Sequence, residues 1–373
     1  MAENPKFETL FKILDLARWA PSADNIQPWR FEILSGHHFV VHGFDKRHSM
    51  VYDREGFTSQ IGIGALLEHL SIAASGFSMR AEISYRPPNS LPDEHPLFDV
   101  YLVDDHSLNP DPLFPYIKQR CVNRFPMRIE RLTDQEKEKI SEMIIRSAST
   151  LDSYKILWFE GWPDKIAIAR ITQSAGKLRL IIPETYPVHK AIIEWNSQYS
   201  MDRIPDQALG LSRSVLPLMH WIMQSWERVV FFNRFFAGTL IPRLELDLIP
   251  ALACSAHFVL LDSKPPQTLQ DYINVGRVLC RFWLEVSALG LQLQPEMAPL
   301  LFRTYANRRE PFSKLSNSLV LAKQVASAID RLIGSEQADR AVFMGRIGRG
   351  NLPPARSVRL PLSSLLLRNE ITD

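Results

Sequence analysis

The chain has 373 residues, of which 46% are hydrophobic and 23% are charged, so it is long enough to bury one large core or two of ordinary size. Its 43 Lys and Arg residues against 41 Asp and Glu residues leave a formal net charge of +2. A balance this close does not indicate a nucleic-acid partner or an anionic membrane, and we predict no nucleic-acid partner.

The few cysteines and the lack of long apolar segments bear on the cellular compartment of the protein. Cys121, Cys254 and Cys280 are isolated in the sequence and too few for a disulfide framework in a chain of this size. The N-terminus lacks the basic and apolar regions of a signal peptide, and the most apolar uncharged stretch, residues 248–261, is too short to span a bilayer. We therefore predict a cytoplasmic protein with no integral membrane segment.

The first helical pattern ends in an unusual turn, Ala20–Trp29, with the sequence APSADNIQPW. Pro21 stops the helix, and small and amide side chains follow before a second proline. We expect the Ser22 hydroxyl and the Asn25 amide to be free to bind something other than their own backbone. The alternative is an ordinary helix C-terminus with common turn residues.

Two helical patterns of equal length, residues 62–76 and 276–290, run from one glycine to another. In both, apolar residues recur at spacings of three and four, and strand-like sequence follows, which favours an internal duplication. The predicted strands are residues 30–34, 39–42, 80–85, 98–103, 154–160, 257–262 and 341–347. Helices and strands together indicate an α+β fold of two pseudo-symmetric halves, residues 1–112 and 113–373.

Residues 182–246 have no counterpart in the first half, so we interpret them as an insertion. This segment is rich in aromatic residues: Trp195, Trp221, Trp226, Phe231, Phe232, Phe235 and Phe236. We predict a helical insertion, which forms either a lid over an active site or simply part of the core.

Basic residues precede a helix start and follow the last strand pattern. Arg120 and Arg124 lie four residues apart ahead of a capping box, Thr133 to Glu136, and two guanidinium groups can face one phosphate. A solvated basic face is the alternative. Residues 345–362 form a second basic, glycine-rich segment that suits an anion, with a disordered basic tail as its alternative.

The turn string resembles the Ala-Pro-Ser-x-x-Asn-x-Gln-Pro-Trp signature of the FMN-dependent nitroreductase family, in which this turn lies against the flavin from across a subunit interface. The segment at Arg120 and Arg124 is similar to the family's Arg-Arg-Ser-x-Arg motif, which binds the FMN phosphate and ribityl chain. Cys121 and Val122 replace the second arginine and the serine of that motif.

Two further segments carry the resemblance. Residues 290–295 resemble the family's Gly-Leu-Gly-x-x-Pro segment, and Arg356 and Arg359 hold the positions of its C-terminal basic pair. The resemblance implies that backbone N–H groups near Gln294 and Glu296 bond to flavin N5, with no side chain assigned as catalytic and none as a metal ligand. The cofactor-binding residues that it implies are Pro21, Ser22, Ala23, Asn25, Gln27, Arg120, Cys121, Asn123, Arg124, Gln294, Pro295, Arg356 and Arg359.

The distribution of these motifs along the chain implies one composite site. The turn occurs only in the first half, whereas the arginine motif and the C-terminal pair occur only in the second. The resemblance is therefore greatest to the tandem, Acg-like branch of the superfamily. It implies a nitroreductase-like fold in which a monomer forms a fused pseudo-dimer and binds one FMN.

The function that this resemblance implies is an FMN-binding, NAD(P)H-dependent oxidoreductase. Ping-pong hydride transfer would run through a single FMN to a small organic electron acceptor. Two alternatives stay open: a non-catalytic protein that sequesters or stores FMN under a lid, and a pathway-specific FMN oxidase or dehydrogenase. The sequence does not decide the substrate, the choice of NADH or NADPH, or higher oligomeric states.

Overall fold

The computed structural model describes residues 5–45, 47–48, 50–51, 53–87, 94–147, 154–235, 238–309 and 311–367. Contacts within the chain divide it into two units. Unit 1 comprises Met1–Arg120, Gln267–Ala288 and Val358–Asp373, and unit 2 comprises Cys121–Pro266 and Leu289–Ser357. Each unit is built from segments that are distant in the sequence.

The described residues form strands and helices throughout both units. The strands are β1 Trp29–Ile33, β2 His38–Gly43, β3 Met79–Arg86, β4 Leu97–Asp104, β5 Lys155–Phe159, β6 Ile193–Glu194, β7 Tyr199–Ser200, β8 Ile204–Pro205, β9 Ala256–Leu261, β10 Gln292–Pro295, β11 Ala341–Gly348 and β12 Arg356–Ser357. The helices are α1 Pro5–Ala17, α2 Phe57–Ser75, α3 Asp134–Ser147, α4 Trp162–Ile181, α5 Thr185–Ile192, α6 Leu216–Ile222, α7 Trp226–Phe235, α8 Leu240–Arg243, α9 Ile249–Leu252, α10 Leu269–Ala288, α11 Ala298–Arg308, α12 Ser318–Ile333 and α13 Ser335–Asp339. None of the helices described is both long and apolar enough to cross a membrane.

Each unit contains one four-stranded antiparallel sheet, and the two sheets have the same topology. The order is β1-β2-β4-β3 in unit 1 and β5-β9-β11-β10 in unit 2. In the sequence, a long helix separates the second strand from the third in both cases, α2 in one and α10 in the other. The predictions of an α+β fold and of seven strands are confirmed.

The strand β10, at Gln292–Pro295, was not predicted from the sequence. It is four residues long and contains two glutamines and a proline, so it shows neither the apolar alternation nor the β-branched residues that mark a strand. It forms because pairing with β11 satisfies its backbone groups. Tertiary pairing therefore overrides local preference here.

The two units do not coincide with the predicted halves. Helix α10 and the C-terminal segment from Val358 belong to unit 1, together with residues 113–120, although the sequence places them after residue 112. The two units group segments that pack together, whichever half of the sequence they come from. The internal duplication and its boundary near residue 112 therefore stay predictions.

The predicted insertion at residues 182–246 contains the helices α5, α6, α7 and α8 together with the short strands β6, β7 and β8. Its aromatic residues divide between interior and surface. Trp226 and Phe232 are partly buried, whereas Trp221, Phe231 and Phe235 are about half exposed or more. Phe236 lies outside the described residues. The interpretation that these aromatic residues are part of the core thus does not hold for Trp221, Phe231 and Phe235.

The core of unit 1 is organised around α2, which is buried on most of its surface. At Gly64 and Gly276 the backbones of α2 and α10 touch. A Cβ atom on Gly64 would lie 2.1 Å from the Ile273 carbonyl oxygen, and one on Gly276 would lie 2.1 Å from the Ile61 carbonyl oxygen. Only glycine permits the two helices to pack this closely.

We expect Gly276→Ala to lower the free energy of unfolding by about 1–3 kcal/mol, because the added methyl group meets rigid backbone rather than a flexible side chain. Gly62→Ala is the matched control within α2. Its nearest new contacts would be at 3.8 Å, so it should be neutral or stabilising by up to about 1 kcal/mol. Urea unfolding measures both variants, and equal effects would contradict the close approach.

Candidate functional site

In unit 1, the turn that follows α1 has an unusual backbone. Asp24, Asn25 and Gln27 have φ angles of 49°, 62° and 48°, in the left-handed region that residues other than glycine rarely adopt. Such conformations cost energy, persist only where the surrounding structure holds them, and cluster at functional sites. The turn therefore has to be stabilised by contacts from elsewhere in the unit.

The polar side chains of the turn supply part of that stabilisation. The Ser22 hydroxyl oxygen accepts a hydrogen bond from the Gln27 N–H at 2.8 Å, and Asn25 Nδ2 donates to the Val358 carbonyl at 3.1 Å. Gln27, which is fully buried, accepts from the Leu360 N–H at 3.0 Å through Oε1. The Ser22 hydroxyl thus bonds within the turn, and the Asn25 amide joins the turn to the C-terminal segment. Contact of either side chain with a ligand stays a prediction.

Arg359 reaches the same turn from the C-terminal segment. Its Nη1 donates to Asn25 Oδ1 at 2.9 Å, while its Nε and Nη2 donate to the Ala20 carbonyl at 3.2 and 2.8 Å. This carbonyl lies just beyond the end of α1, where backbone acceptors lack helical partners. The structure thus gives Arg359 an intramolecular role, and its contact with a phosphate stays a prediction.

Arg120 lies at the same end of α1. Its side chain is buried, its Nη2 donates to the Trp19 carbonyl at 3.1 Å, and its guanidinium carbon lies 4.6 Å from the centre of the Trp283 ring. Burial, followed by the positive charges of Arg120 and Arg359, lowers the pKa of His69 to about 3. The two guanidinium groups at this end of α1 supply positive charge, which favours an anion.

In unit 2, the segment that follows Cys121 runs beside β10. The backbone N–H of the buried Asn123 donates to the Leu293 carbonyl at 3.0 Å, and its Nδ2 donates to the Asn351 carbonyl at 3.0 Å. Cys121 is partly buried, and Arg124 Nη1 donates to the Ala208 carbonyl at 3.2 Å. The structure therefore brings the predicted arginine segment together with the segment predicted to face flavin N5.

The backbone donors predicted at the end of β10 are only partly available. The Glu296 N–H donates to the Met344 carbonyl at 2.9 Å, so it is not the free donor that we expected. The reason is that the pairing of β10 with β11, in which Gln294 faces Arg346 and Pro295 faces Gly345, continues for one more residue. For Gln294 and Pro295 the cofactor role stays a prediction.

Arg356 lies in unit 2, on strand β12. Its backbone N–H donates to the Gln198 carbonyl at 3.0 Å, and β12 pairs in parallel with β7. The C-terminal pair is thus divided: Arg356 belongs to unit 2 and Arg359 to unit 1. The capping box is confirmed, since the Thr133 N–H donates to Glu136 at 2.7 Å and the Glu136 N–H donates to the Thr133 hydroxyl at 3.2 Å.

A buried charged cluster in unit 2 was missed by the sequence analysis. His257 is fully buried between Glu296 Oε2, 2.9 Å from its Nδ1, and the Ala251 carbonyl, 2.7 Å from its Nε2. Both neighbours are acceptors, so both ring nitrogens carry hydrogen and the imidazole is positively charged. Burial acts to lower the pKa of His257, but the Glu296 carboxylate, with a smaller contribution from Cys254, raises it to about 10.

Arg346, on β11, completes this cluster. Only 1% of the residue is exposed, and its Nη2 donates to the Arg124 and Phe125 carbonyls at 3.0 and 3.1 Å. Its Nη1 is buried and has no hydrogen-bond partner, and the same is true of Gln294 Oε1. A buried donor and a buried acceptor left unsatisfied are costly, so they favour a polar ligand that satisfies both.

A sequence signal for the cluster does exist. His257 and Arg346 are each the one ionisable residue in a strand that is otherwise apolar, Ala256–Leu261 and Ala341–Gly348. Such residues are buried with partners whenever the strand is covered on both faces. The sequence does not reveal which acid is the partner, because Glu296 lies on a different element. Among the described residues, no group of His, Cys, Asp and Glu side chains could hold a metal ion.

We expect His257→Gln to change the pH dependence of stability. Because the pKa of His257 is raised from 6.5 to about 10 on folding, its contribution is full below its unfolded pKa and is lost as the pH rises through about 10. Urea titrations give the free energy of unfolding of the wild type and of the variant at each pH. The difference between the two, wild type minus variant, should therefore fall by a few kcal/mol between about pH 7 and about pH 10.

His189→Gln is the control for this measurement. His189 is partly buried, and burial, followed by the charge of Arg179, lowers its pKa to about 3. Above pH 7, His189 is neutral in the folded and in the unfolded state. Its removal should therefore leave the slope of the free energy of unfolding against pH unchanged in that range. Parallel slopes for the wild type and His257→Gln would rule out the buried ion pair.

Comparisons with known proteins support the family resemblance that the turn near the N-terminus carries. A model of the nitroreductase family matches residues 1–41, which include the whole turn. A nitroreductase-like family protein from Bacillus cereus covers 70% of this chain and 97% of its own, but with a TM-score of 0.35 and 11% identity this likeness carries no argument about the fold.

Two curated proteins from Mycobacterium tuberculosis are more similar. The uncharacterized protein Rv3127 of strain H37Rv and the uncharacterized protein MT3212 of strain CDC 1551 are each 35% identical to this chain over 280 residues, or 74% of both lengths. The chain therefore belongs to the same family as these two mycobacterial proteins, and its N-terminal segment matches the nitroreductase family.

Proposed function

We propose that the protein is a flavin oxidoreductase of the nitroreductase type that binds FMN and uses NAD(P)H as reductant. The observation that carries this proposal is the strained turn at Asp24–Gln27, which lies within the residues that match the nitroreductase family. A turn held in this conformation by Arg359 suits a surface that must be rigid before a planar ligand packs on it.

The residues of unit 2 fit the cofactor by their chemistry. The pyrimidine edge of a flavin carries both hydrogen-bond acceptors and an N–H donor. Arg346 Nη1 and Gln294 Oε1 are a buried donor and a buried acceptor without partners, so they match this edge. We therefore assign them to that edge and keep Asn123, Arg124 and Arg356 as candidates for the phosphate and ribityl chain.

In unit 1 the proposal assigns Pro21, Ser22 and Ala23 to contact with the cofactor. Asn25, Gln27 and Arg359 would act mainly by holding the turn, as their hydrogen bonds suggest. Arg120 contributes positive charge at the same end of α1 and remains a candidate phosphate ligand. Cys121 is kept as a cofactor-binding candidate by its position beside Arg120.

When bound, FMN would supply the hydride-transfer chemistry between NAD(P)H and a small organic acceptor. The protein would supply binding, orientation and electrostatics. Arg346 would place a fixed positive charge at the pyrimidine edge, and the Arg124 and Phe125 carbonyls would hold its guanidinium in position. No side chain is then required to act as an acid or base.

We also propose that the chain arose by fusion of two nitroreductase-like halves and works as a monomer. The identical strand orders of the two sheets, each with a long helix between its second and third strands, support this proposal. The direct contact of the two equivalent helices, α2 and α10, at Gly64 and Gly276 adds to that support, because paired helices are typical of a two-fold interface.

The spectrum of the purified protein tests the function. We expect a yellow protein with one FMN per chain, which bleaches when NADH or NADPH is added without oxygen. Bound flavin that stays oxidised with both nucleotides would favour an FMN-storage protein or a substrate-specific oxidase. A colourless protein that does not bind added FMN would refute the cofactor assignment.

A substitution on β10 tests the assignment of the pyrimidine edge. Gln294→Leu removes the unpartnered acceptor, so the stability of the FMN-free protein should change little, while the Kd for FMN should rise about tenfold. Gln292→Leu, on the same strand, is the control and should leave the Kd unchanged. Equal Kd values for the wild type and Gln294→Leu in fluorescence-quenching titrations would refute the assignment.

A further inference from the structure

The helical part of the insertion exposes an unusual amount of apolar surface. Among the described residues, nineteen large apolar side chains are exposed, and seven of them lie between residues 216 and 246. They are Leu218, Trp221, Val230, Phe231, Phe235, Leu240 and Ile241. A soluble domain rarely groups so many without a binding role for the surface.

The pattern of α7 shows that this exposure is organised. Trp226, Val229 and Asn233 face inward, where they line a small cavity beside α5 and α6. Phe231 and Phe235, one helical turn apart, lie on the outer side with their ring centres 5.1 Å apart and 49% and 63% of each residue exposed. Helix α7 therefore has one face in the core of the insertion and a second apolar face toward solvent.

The outward rings form one group with neighbouring elements. Phe232, which is partly buried and lines the same small cavity, connects them, because its ring centre lies 6.0 Å from that of Phe231 and 5.7 Å from that of Trp221 of α6. We call Trp221, Phe231, Phe232 and Phe235 the aromatic patch. Because α8 presents Leu240 and Ile241 to solvent close by in the sequence, the apolar surface extends beyond the rings.

Arginine side chains lie on the aromatic patch itself. The guanidinium carbon of Arg228 is 4.4 Å from the centre of the Trp221 ring, and that of Arg234 is 5.4 Å from the centre of the Phe235 ring. Between residues 213 and 240 the sequence contains three arginines and a single acidic residue, Glu227. The patch is therefore positively charged, although the whole chain is nearly neutral.

We propose that the aromatic patch docks on the surface of an anionic phospholipid bilayer. Trp221, Phe231 and Phe235 would enter the boundary between headgroups and acyl chains, and Arg228 and Arg234 would meet the lipid phosphates. Aromatic rings and arginine are the residues that this boundary favours. Between residues 230 and 241, the exposed side chains that the structure describes have no directed hydrogen-bonding groups other than those of arginine. Such a surface suits a fluid bilayer better than a shaped protein partner.

Co-sedimentation of the full chain with vesicles tests the proposal. The protein should bind vesicles of phosphatidylcholine and phosphatidylglycerol, bind vesicles of phosphatidylcholine alone about tenfold or more weakly, and dissociate as salt is added. The double variant Phe231→Ser/Phe235→Ser should lower binding about tenfold or more, because the apolar contribution is lost. Arg228→Gln/Arg234→Gln should remove the preference for anionic lipid.

Leu352→Ser is the matched control, since Leu352 is 71% exposed and lies outside the insertion. It should bind vesicles like the wild type, and circular dichroism should show that all variants are folded. Absence of binding to the anionic vesicles, or binding that the double variant retains, would overturn the proposal. A wild-type dimer that becomes a monomer in the double variant, with no vesicle binding by either, would also overturn it and would show that the patch joins two copies of the chain.

Discussion

The hydrogen bonds between Arg359 and the end of the first helix are the interaction on which the candidate site in unit 1 depends. One guanidinium group binds the Ala20 carbonyl and the Asn25 side chain, and it does so from a segment more than 330 residues away in the sequence. Together with the bonds of Ser22, Asn25 and Gln27, these hydrogen bonds offset the cost of three left-handed residues in the turn. The C-terminal segment is therefore part of the turn's structure rather than an appended tail.

The buried charges of unit 2 impose a second constraint. A charged imidazole, a carboxylate and a guanidinium lie in the interior, and each needs partners because burial penalises unpaired charge. His257 and Glu296 satisfy each other, and Arg346 binds two backbone carbonyls with one nitrogen while another has no partner. The cluster is thus nearly, but not fully, satisfied by the protein. In the proposed function, this remaining hydrogen-bonding capacity is what the flavin would satisfy.

Sequence reasoning succeeded where the signal was local. The strands at residues 30–34 and 39–42, the capping box at Thr133 and the two glycine-bounded helices follow from periodicity and turn chemistry, and all of them are present. It failed for β10, whose polar sequence forms a strand only because β11 lies beside it. It also did not reveal the bond from Asn25 to Val358, because no local pattern shows which distant carbonyl an amide will meet.

By itself, the sequence determined the class of fold, the position of the strained turn and the family to which that turn points, because these depend on residues close together in the chain. The tertiary structure alone decided which donors and acceptors remain unsatisfied, which aromatic rings face solvent, and that His257 carries a charge. These properties depend on burial and on partners supplied by distant segments. Hydrogen bonding and desolvation are set by the final packing, and no spacing in the sequence encodes them.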